Sequence, residues 1–499
     1  MADDELKPVV ETGRNCWRIS RADIATVIVD AADYFHFIGL AMSRAERRIL
    51  IVGWEFDTRI ALDPGDQGKG VSLGHFFLQL AKQRPQREID ILKWNFGALK
   101  QFMRPVAVMW LFRWWRTRAI DFRFDSAHPP GCSHHQKIVA IDDCLAACGG
   151  IDISACRWDT TTHLDGDNRR TGPDGKPYMP WHDATMLMLG EIAQDIGELG
   201  RQRWKVATSR ELSRIESCHD DWPHGLPAMF RHVDIAISRT RASYADLPEV
   251  REIQALFLDM IAAARRFIYF ENQYFTSAKI AAAICARMEE DDPPEMVLVM
   301  PRRADGWLEQ TAMDGARLKL IRAIGRRDKM NRFRVYYPQT EGGENIYVHA
   351  KISVVDDRLL RIGSANLNNR SMGLDSECDV TIDAGLEANH HCGPTISDLR
   401  CRLLAEHLGC RAQEFAALEQ RHGSMIAAIE ELRGSGKTLV PLPMEPLGAA
   451  DEFIASNELL DPESPDAMLD PIARRGLAKS WDRGRALFER RFRGRPPSA

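Results

Sequence analysis

The sequence predicts an α/β protein built twice, as two similar domains that each hold a mixed β-sheet between helices. Three observations carry that expectation. Helical and strand periodicities alternate along the chain, the pattern of a sheet covered on both faces. A helix-then-strand unit beginning near residue 30 returns near residue 254. The stretch His135-Gln136-Lys137-Ile138-Val139-Ala140-Ile141-Asp142 returns as His349-Ala350-Lys351-Ile352-Ser353-Val354-Val355-Asp356, with its histidines 349 − 135 = 214 residues apart. A period this long marks a duplicated domain rather than a solenoid. The halves should therefore be related by a pseudo-two-fold axis, with the active site in the cleft at their interface.

Residues 1–28 have little pattern and read as a lead-in, so the first domain is placed at 29–232. There Ala31, Phe35, Ile38, Ala41 and Met42 recur at helical spacing, followed by a strand from Arg48 to Trp54. Leu256, Phe257, Met260, Ile261 and Ala264 repeat that helix ahead of the strand Arg266 to Phe270. Ile89 to Trp94 corresponds to Met296 to Met300, and Ile120 to Phe124 to Phe333 to Tyr336. The joint falls near Asp221 to Leu226, before the strand Val233 to Ile237, giving a second domain at 233–410. Residues 411–499 read as a helical and basic extension. It comprises an amphipathic helix from Gln413 to Leu432 ended by Gly434, then a linker from Pro441 to Pro446. Its last part, Arg474 to Arg495, carries nine Arg or Lys against two acids, which suits contact with anionic lipid.

Composition narrows the function classes. Hydrophobic residues make up 44% and charged residues 27%, an ordinary globular balance. A net charge of −5 argues against a surface coated for nucleic acid, so no obligatory nucleic-acid partner is expected. The eleven cysteines are scattered and read as buried free thiols. The acidic start, Met1 to Glu5, lacks the regions of a secretory signal, and no apolar run reaches the roughly 18 residues of a membrane span. The expectation is a soluble monomer, cytoplasmic or peripheral to a membrane, without a protein partner and with any export by a non-classical route.

The repeated motif carries the chemistry. Side chains alternate along a strand, so His349 and Lys351 share a face, as do His135 and Lys137. An imidazole beside a fixed positive charge suits reaction at a phosphate: one group attacks or moves a proton, the other holds oxygens. Displacement at phosphorus needs a nucleophile on one side and a proton donor on the other, which two facing copies supply. No metal and no cofactor are expected. His390-His391-Cys392 makes a poor chelate of adjacent loop residues, and a Walker-type phosphate loop is lacking.

The pattern His-x-Lys, four residues, Asp, six residues, Gly-Ser or Gly-Gly resembles the paired signature of the phospholipase D superfamily. Pro180-Trp181-His182-Asp183, Ile268 to Phe275, Gly373 to Glu377 and Glu406-His407-Leu408-Gly409 resemble the phospholipase D branch, of the bacterial type. The likeness covers about residues 30–410. It implies a catalytic signature of His135, Lys137, Asp142, His349, Lys351 and Asp356, with His135 as nucleophile and His349 as acid/base. Asp142 and Asp356 are expected to brace backbone more than touch substrate. Ser364 and Asn366 would add neutral donors, and Glu377 would serve His349. Asp159 is assigned to the first-half imidazole, with Asp165 and Asp167 as rivals. Glu271, Asn272, Gln273, Trp181 and His182 are expected to wall the cleft.

The implied activity is hydrolysis of phosphatidylcholine or phosphatidylethanolamine to phosphatidate through a phosphohistidine, with possible transphosphatidylation. A cardiolipin synthase-like phosphatidyltransferase and a nuclease are the alternatives. A phospholipid membrane surface is the expected partner. Aromatic and basic residues between Trp94 and Arg116 mix as interfacial segments do.

Overall fold

A computed structural model describes residues 7–65, 70–95, 105–216, 222–304, 307–444 and 461. The basic segment Arg474 to Arg495, Asp221 of the joint, and Phe96 lie outside the described residues. The two halves do not stand as separate sheets. They merge into one 16-stranded sheet whose centre is an antiparallel pair, β1 (Arg18–Val29) against β9 (Phe230–Arg241), with Ile19 opposite Ala236 and Ala22 opposite Val233.

Outward from β1 run β8 (Ala184–Leu189), β6 (Leu145–Gly149), β5 (Ile138–Ile141), β2 (Arg48–Gly53), β3 (Glu88–Trp94) and β4 (Ile120–Asp125). Outward from β9 run β17 (Glu377–Asp383), β16 (Leu359–Gly363), β15 (Ile352–Val355), β11 (Phe267–Glu271), β12 (Glu295–Val299) and β13 (Phe333–Gln339). The pairing senses match position by position: β2–β3–β4 and β11–β12–β13 are parallel, and the remaining pairs are antiparallel. The same fold is thus laid down twice and joined back to back.

Residues 18–28 are therefore not a lead-in; they are a central strand. Its first half escapes a hydropathy reading because Arg18, Arg21 and Asp23 interrupt it while the buried positions hold only Ser20 and Ala22. The extension also needs correction. Gly423, at φ 62°, breaks the expected 413–432 helix into Ala412–His422 and Met425–Leu432, and Ser424 caps the second by accepting from the Ala427 N–H. In place of a linker at 441, β18 (Thr438–Pro441) adds antiparallel to β13, so the second half runs past residue 410.

Helices cover both faces. Helices Glu191–Thr208 and Gly393–Leu408 share one continuous core that crosses from half to half, including Ile196, Trp204, Ile396 and Leu404. The opposite face carries two separate cores, one per half, built on Phe35, Ile38 and Phe77, and on Phe257, Met260 and Ile284. This division makes the first core the one that fixes the halves against each other.

The motif aspartates brace the backbone. Asp142 accepts from the N–H groups of Glu46, Arg47 and Arg48 at 2.6–2.8 Å, and Asp356 from those of Arg265, Arg266 and Phe267 at 2.6–2.9 Å. Each opens a tight turn, with φ 52° and 53°, at the far end of β5 or β15 from its histidine. Five residues of extended chain put each about 16 Å beyond its motif lysine, so neither belongs to a reacting centre. Asp142→Ala should lower the urea-unfolding free energy by about 2–4 kcal/mol, since several donors lose their acceptor at once; an unchanged midpoint would contradict the bracing role.

Candidate active site

Each histidine–lysine pair lies just ahead of its strand and is held by the other half. The His135 N–H donates to the Ser376 carbonyl at 2.9 Å, and its Nδ1 lies 3.0 Å from the Glu377 carboxylate. The His349 N–H donates to the His182 carbonyl at 2.7 Å, and its Nδ1 lies 2.6 Å from Asp183. In both cases the carbonyl belongs to the residue just before the carboxylate. A short parallel pair, β7 (Trp181–His182) with β14 (Tyr347–Val348), sets the second register. The imidazole–carboxylate pairs are therefore crossed between halves.

That crossing corrects two expectations. Glu377 serves His135, not His349. Asp159 serves neither imidazole: it accepts from His163, Arg170, the Trp181 N–H and the Thr160 N–H. Asp165 accepts from the Gly342 N–H and Asp167 pairs with Arg169, so the rivals are also elsewhere. Asp183 stands beside His182 but lies 183 − 135 = 48 residues beyond His135, against 377 − 349 = 28 for Glu377 beyond His349. The long loop between β6 and β7 hides the correspondence.

The Gly150/Ser364 difference follows from these carboxylates. A Cβ on Gly150 would stand 2.1 Å from Asp183 Oδ1, so only glycine admits that carboxylate. Ser364 instead donates its hydroxyl to Glu377 at 2.5 Å, joined by Ser371 at 2.7 Å. The Ser364 hydroxyl is thus committed to the carboxylate rather than offered to a ligand. Asn366 is buried, donates its N–H to Ser371, and has a side-chain oxygen with no hydrogen-bond partner among the described residues. Asp152, at the corresponding place in the first half, lies 3.3 Å from Lys137.

Lys137 donates to its own motif's His135 carbonyl at 2.9 Å, and Lys351 donates to the His349 carbonyl and to Gln273 at 3.2 Å. An ammonium has three donors, so each retains capacity for a ligand oxygen. Burial, reinforced by Lys137 and Lys351, holds His135 well below its ordinary range. Burial, then Lys351, Arg157, Lys137 and His135, does the same for His349. Both imidazoles thus feel both lysines, which makes one electropositive centre from the two motifs. Burial lowers Lys351 to about 7 and raises Glu377 to about 8.

Aromatic rings frame this centre. Trp54 lies edge-on to His135 at 5.7 Å, while Trp181 stacks on Tyr347 at 4.7 Å and lies 5.2 Å from His349. Arg157 covers the Trp181 ring at 4.3 Å. Of the expected cleft walls, Trp181 and Gln273 are beside the histidines and lysines. Glu271 and His182 instead pair with each other at 2.7 Å in the interior, and Asn272 accepts from the Leu367 and Tyr274 N–H groups as a loop brace. Asp183, Arg157, Trp54 and Ser371 are site residues that pattern reading left unassigned. Their neighbours in the chain gave no sign of which half they would face.

The family model described as "Cardiolipin synthase, PLD-like domain" matches residues 257–392. Phospholipase D1 of Saccharomyces cerevisiae is 28% identical over 374 residues, which cover 56% of this chain and 22% of that protein. Phospholipase D alpha 1 of Brassica oleracea var. capitata is 26% identical over 525 residues, covering 75% of this chain and 64% of its own. The chain thus spans less than two thirds of these relatives. The phosphatidylserine synthase of Haemophilus influenzae Rd KW20 shares the fold at a TM-score of 0.50 and 11% identity, over 76% of this chain and 87% of that one. Fold and site together define a class in which two like halves complete one histidine–lysine centre. Such a centre is the mark of the phospholipase D superfamily, to which this chain is similar in both motifs and in the matched segments.

The crossed pairing has a direct spectroscopic consequence. Glu377→Gln should perturb the ¹⁵N resonances and titration of His135 and leave His349 nearly unchanged; Asp183→Asn should do the reverse. The opposite pattern in imidazole NMR would show that each carboxylate serves its own half.

Proposed function

We propose that the chain is a phospholipase D-type phosphoric diester hydrolase. It cleaves the distal phosphodiester of glycerophospholipids, phosphatidylcholine or phosphatidylethanolamine, at a membrane surface. The observation that carries the reading is the convergence of both histidine–lysine pairs on one buried centre, each imidazole oriented by a carboxylate of the other half. With Nδ1–H donating to Glu377, the Nε2 lone pair of His135 attacks phosphorus. The bond to the headgroup oxygen breaks, and the proton on His349 Nε2 goes to that oxygen. His349 then takes a proton from water as the water attacks, the P–N bond breaks, and phosphatidate leaves.

Lys137 and Lys351 hold the non-bridging oxygens, whose negative charge offsets the repulsion that otherwise keeps the imidazoles neutral. A primary alcohol in place of water would give a phosphatidyl-alcohol. The transferase alternative draws on the family description of the matched segment and differs only in the acceptor. His135→Ala should abolish covalent labelling by substrate phosphorus and lower turnover by at least roughly 10³-fold. Liposomes with ethanol should yield phosphatidylethanol. Labelling lost only in His349→Ala would reverse the two roles, and cleavage of DNA with inert lipid would refute the lipid reading.

Support for a membrane partner comes from the helix Pro105–Trp115. Trp110 and Trp114 point inward, while Met109, Phe112 and Trp115 are exposed, Trp115 at 80%, beside exposed Arg113 and Arg116. No helix among the described residues is long and apolar enough to cross a membrane, so this face would lie in the interface. Phe112→Ser with Trp115→Ser should cut flotation with anionic liposomes several-fold and leave hydrolysis of a short-chain soluble phosphodiester intact. Unchanged flotation would remove the helix from the contact.

A further inference from the structure

A second polar cluster lies in the interior, apart from the histidine–lysine centre. Asp30, His163 and His182 come from the first half, and Glu406 from the end of helix Gly393–Leu408 in the second. His163 Nε2 lies 3.4 Å from Asp30 Oδ2 and 3.2 Å from Glu406 Oε1. His182 Nδ1 lies 3.3 Å from Asp30 Oδ1 and 3.0 Å from the same Glu406 oxygen. All four side chains are at least nine-tenths buried.

The other nitrogen of each ring is already assigned. His163 Nδ1 lies 2.9 Å from Asp159, and His182 Nε2 lies 2.7 Å from Glu271. Each of those carboxylates requires the N–H on its own side, which leaves His163 Nε2 and His182 Nδ1 as bare lone pairs in the neutral rings. Those lone pairs face carboxylate oxygens, an arrangement that repels unless each ring takes a second proton or a cation stands between them. His163 Nε2 is within hydrogen-bond reach of Glu406, but the buried His182 Nδ1 and Asp30 Oδ2 have no hydrogen-bond partner among the described residues, and one ligand atom from each of the four side chains lies within 4.8 Å of the others.

We propose that Asp30, His163, His182 and Glu406 bind a divalent transition cation of the zinc class. Metal–ligand bonds of about 2.0–2.1 Å in a tetrahedron place ligand atoms about 3.3–3.4 Å apart, close to the 3.0–3.4 Å between each ring nitrogen and the two carboxylates. Asp30 and Glu406 balance the ion's two charges with both rings neutral. Asp159 and Glu271 stand behind the rings as the outer carboxylates that orient metal-bound imidazoles. Thr162, His163, Glu406 and Lys437 line a cavity of about 910 Å³ that gives the cluster a route to solvent.

With four protein ligands the ion is structural. It ties Glu406 of the second half to Asp30, His163 and His182 of the first. His182 also accepts the His349 N–H and immediately precedes Asp183, so the ion fixes the strand that aims the His349 carboxylate. Its role is positioning, and its test does not depend on the substrate.

The full chain, exposed to one equivalent of zinc and dialysed against metal-free buffer, should retain close to one ion per chain by elemental analysis. Cobalt should replace it with the visible absorption of a tetrahedral site. His163→Gln and Glu406→Gln should each weaken retention by roughly 10–100-fold, while the exposed-site control His422→Gln should not. A strong chelator should lower the thermal midpoint of the wild type. Retention below about a tenth of an ion by the wild type, with a midpoint indifferent to chelator, would overturn the proposal and leave two protonated imidazoles as the charge between the carboxylates. These wild-type measurements decide the matter even if the variants do not fold.

Discussion

The contact on which the rest depends is the antiparallel pairing of β1 with β9. It converts two copies of one fold into a single sheet and sets the distance between their motifs. An imidazole can be oriented only by a carboxylate within hydrogen-bond reach, and here that carboxylate always comes from across this seam. Neither half alone contains an oriented motif histidine. The site is therefore a property of the joined sheet, and the continuous core beneath helices Glu191–Thr208 and Gly393–Leu408 holds the joint rigid.

Burial gives the two motifs their chemistry. In water an imidazole, a lysine and a carboxylate would titrate independently near their ordinary values. Packed between the halves, both histidines are held neutral by desolvation and by two lysines, and Lys351 itself falls to about 7. Such a centre is strained electrostatically when empty and relieved by an anion. A phosphodiester, the substrate proposed for this centre, would supply that negative charge where the lysines still have donors to give.

The flanking segments Pro180 to Asp183, Ile268 to Phe275 and Glu406 to Gly409 turn out to serve two ends. The first two support the reacting centre, through Asp183, Trp181 and Gln273. All three, through His182, Glu271, Glu406 and His407, form an interior network that ties the halves together. This accounts for polar residues in strands where hydrophobic ones would pack more simply.

The sequence by itself determined the duplication, the two histidine–lysine pairs and most strands, because those signals are local: residue types at fixed spacing and apolar periodicity. It also determined that Asp142 and Asp356 would brace backbone. It did not reveal the first half of β1, whose buried positions are only Ser20 and Ala22, nor the break at Gly423 that depends on a left-handed residue. Which carboxylate serves which histidine was decided only by tertiary structure. Glu377 follows His349 in the chain, yet the sheet delivers it to His135, and Asp183 goes the other way. Spacing along a chain cannot encode that exchange, since it arises from a symmetry between halves that exists only after they have paired.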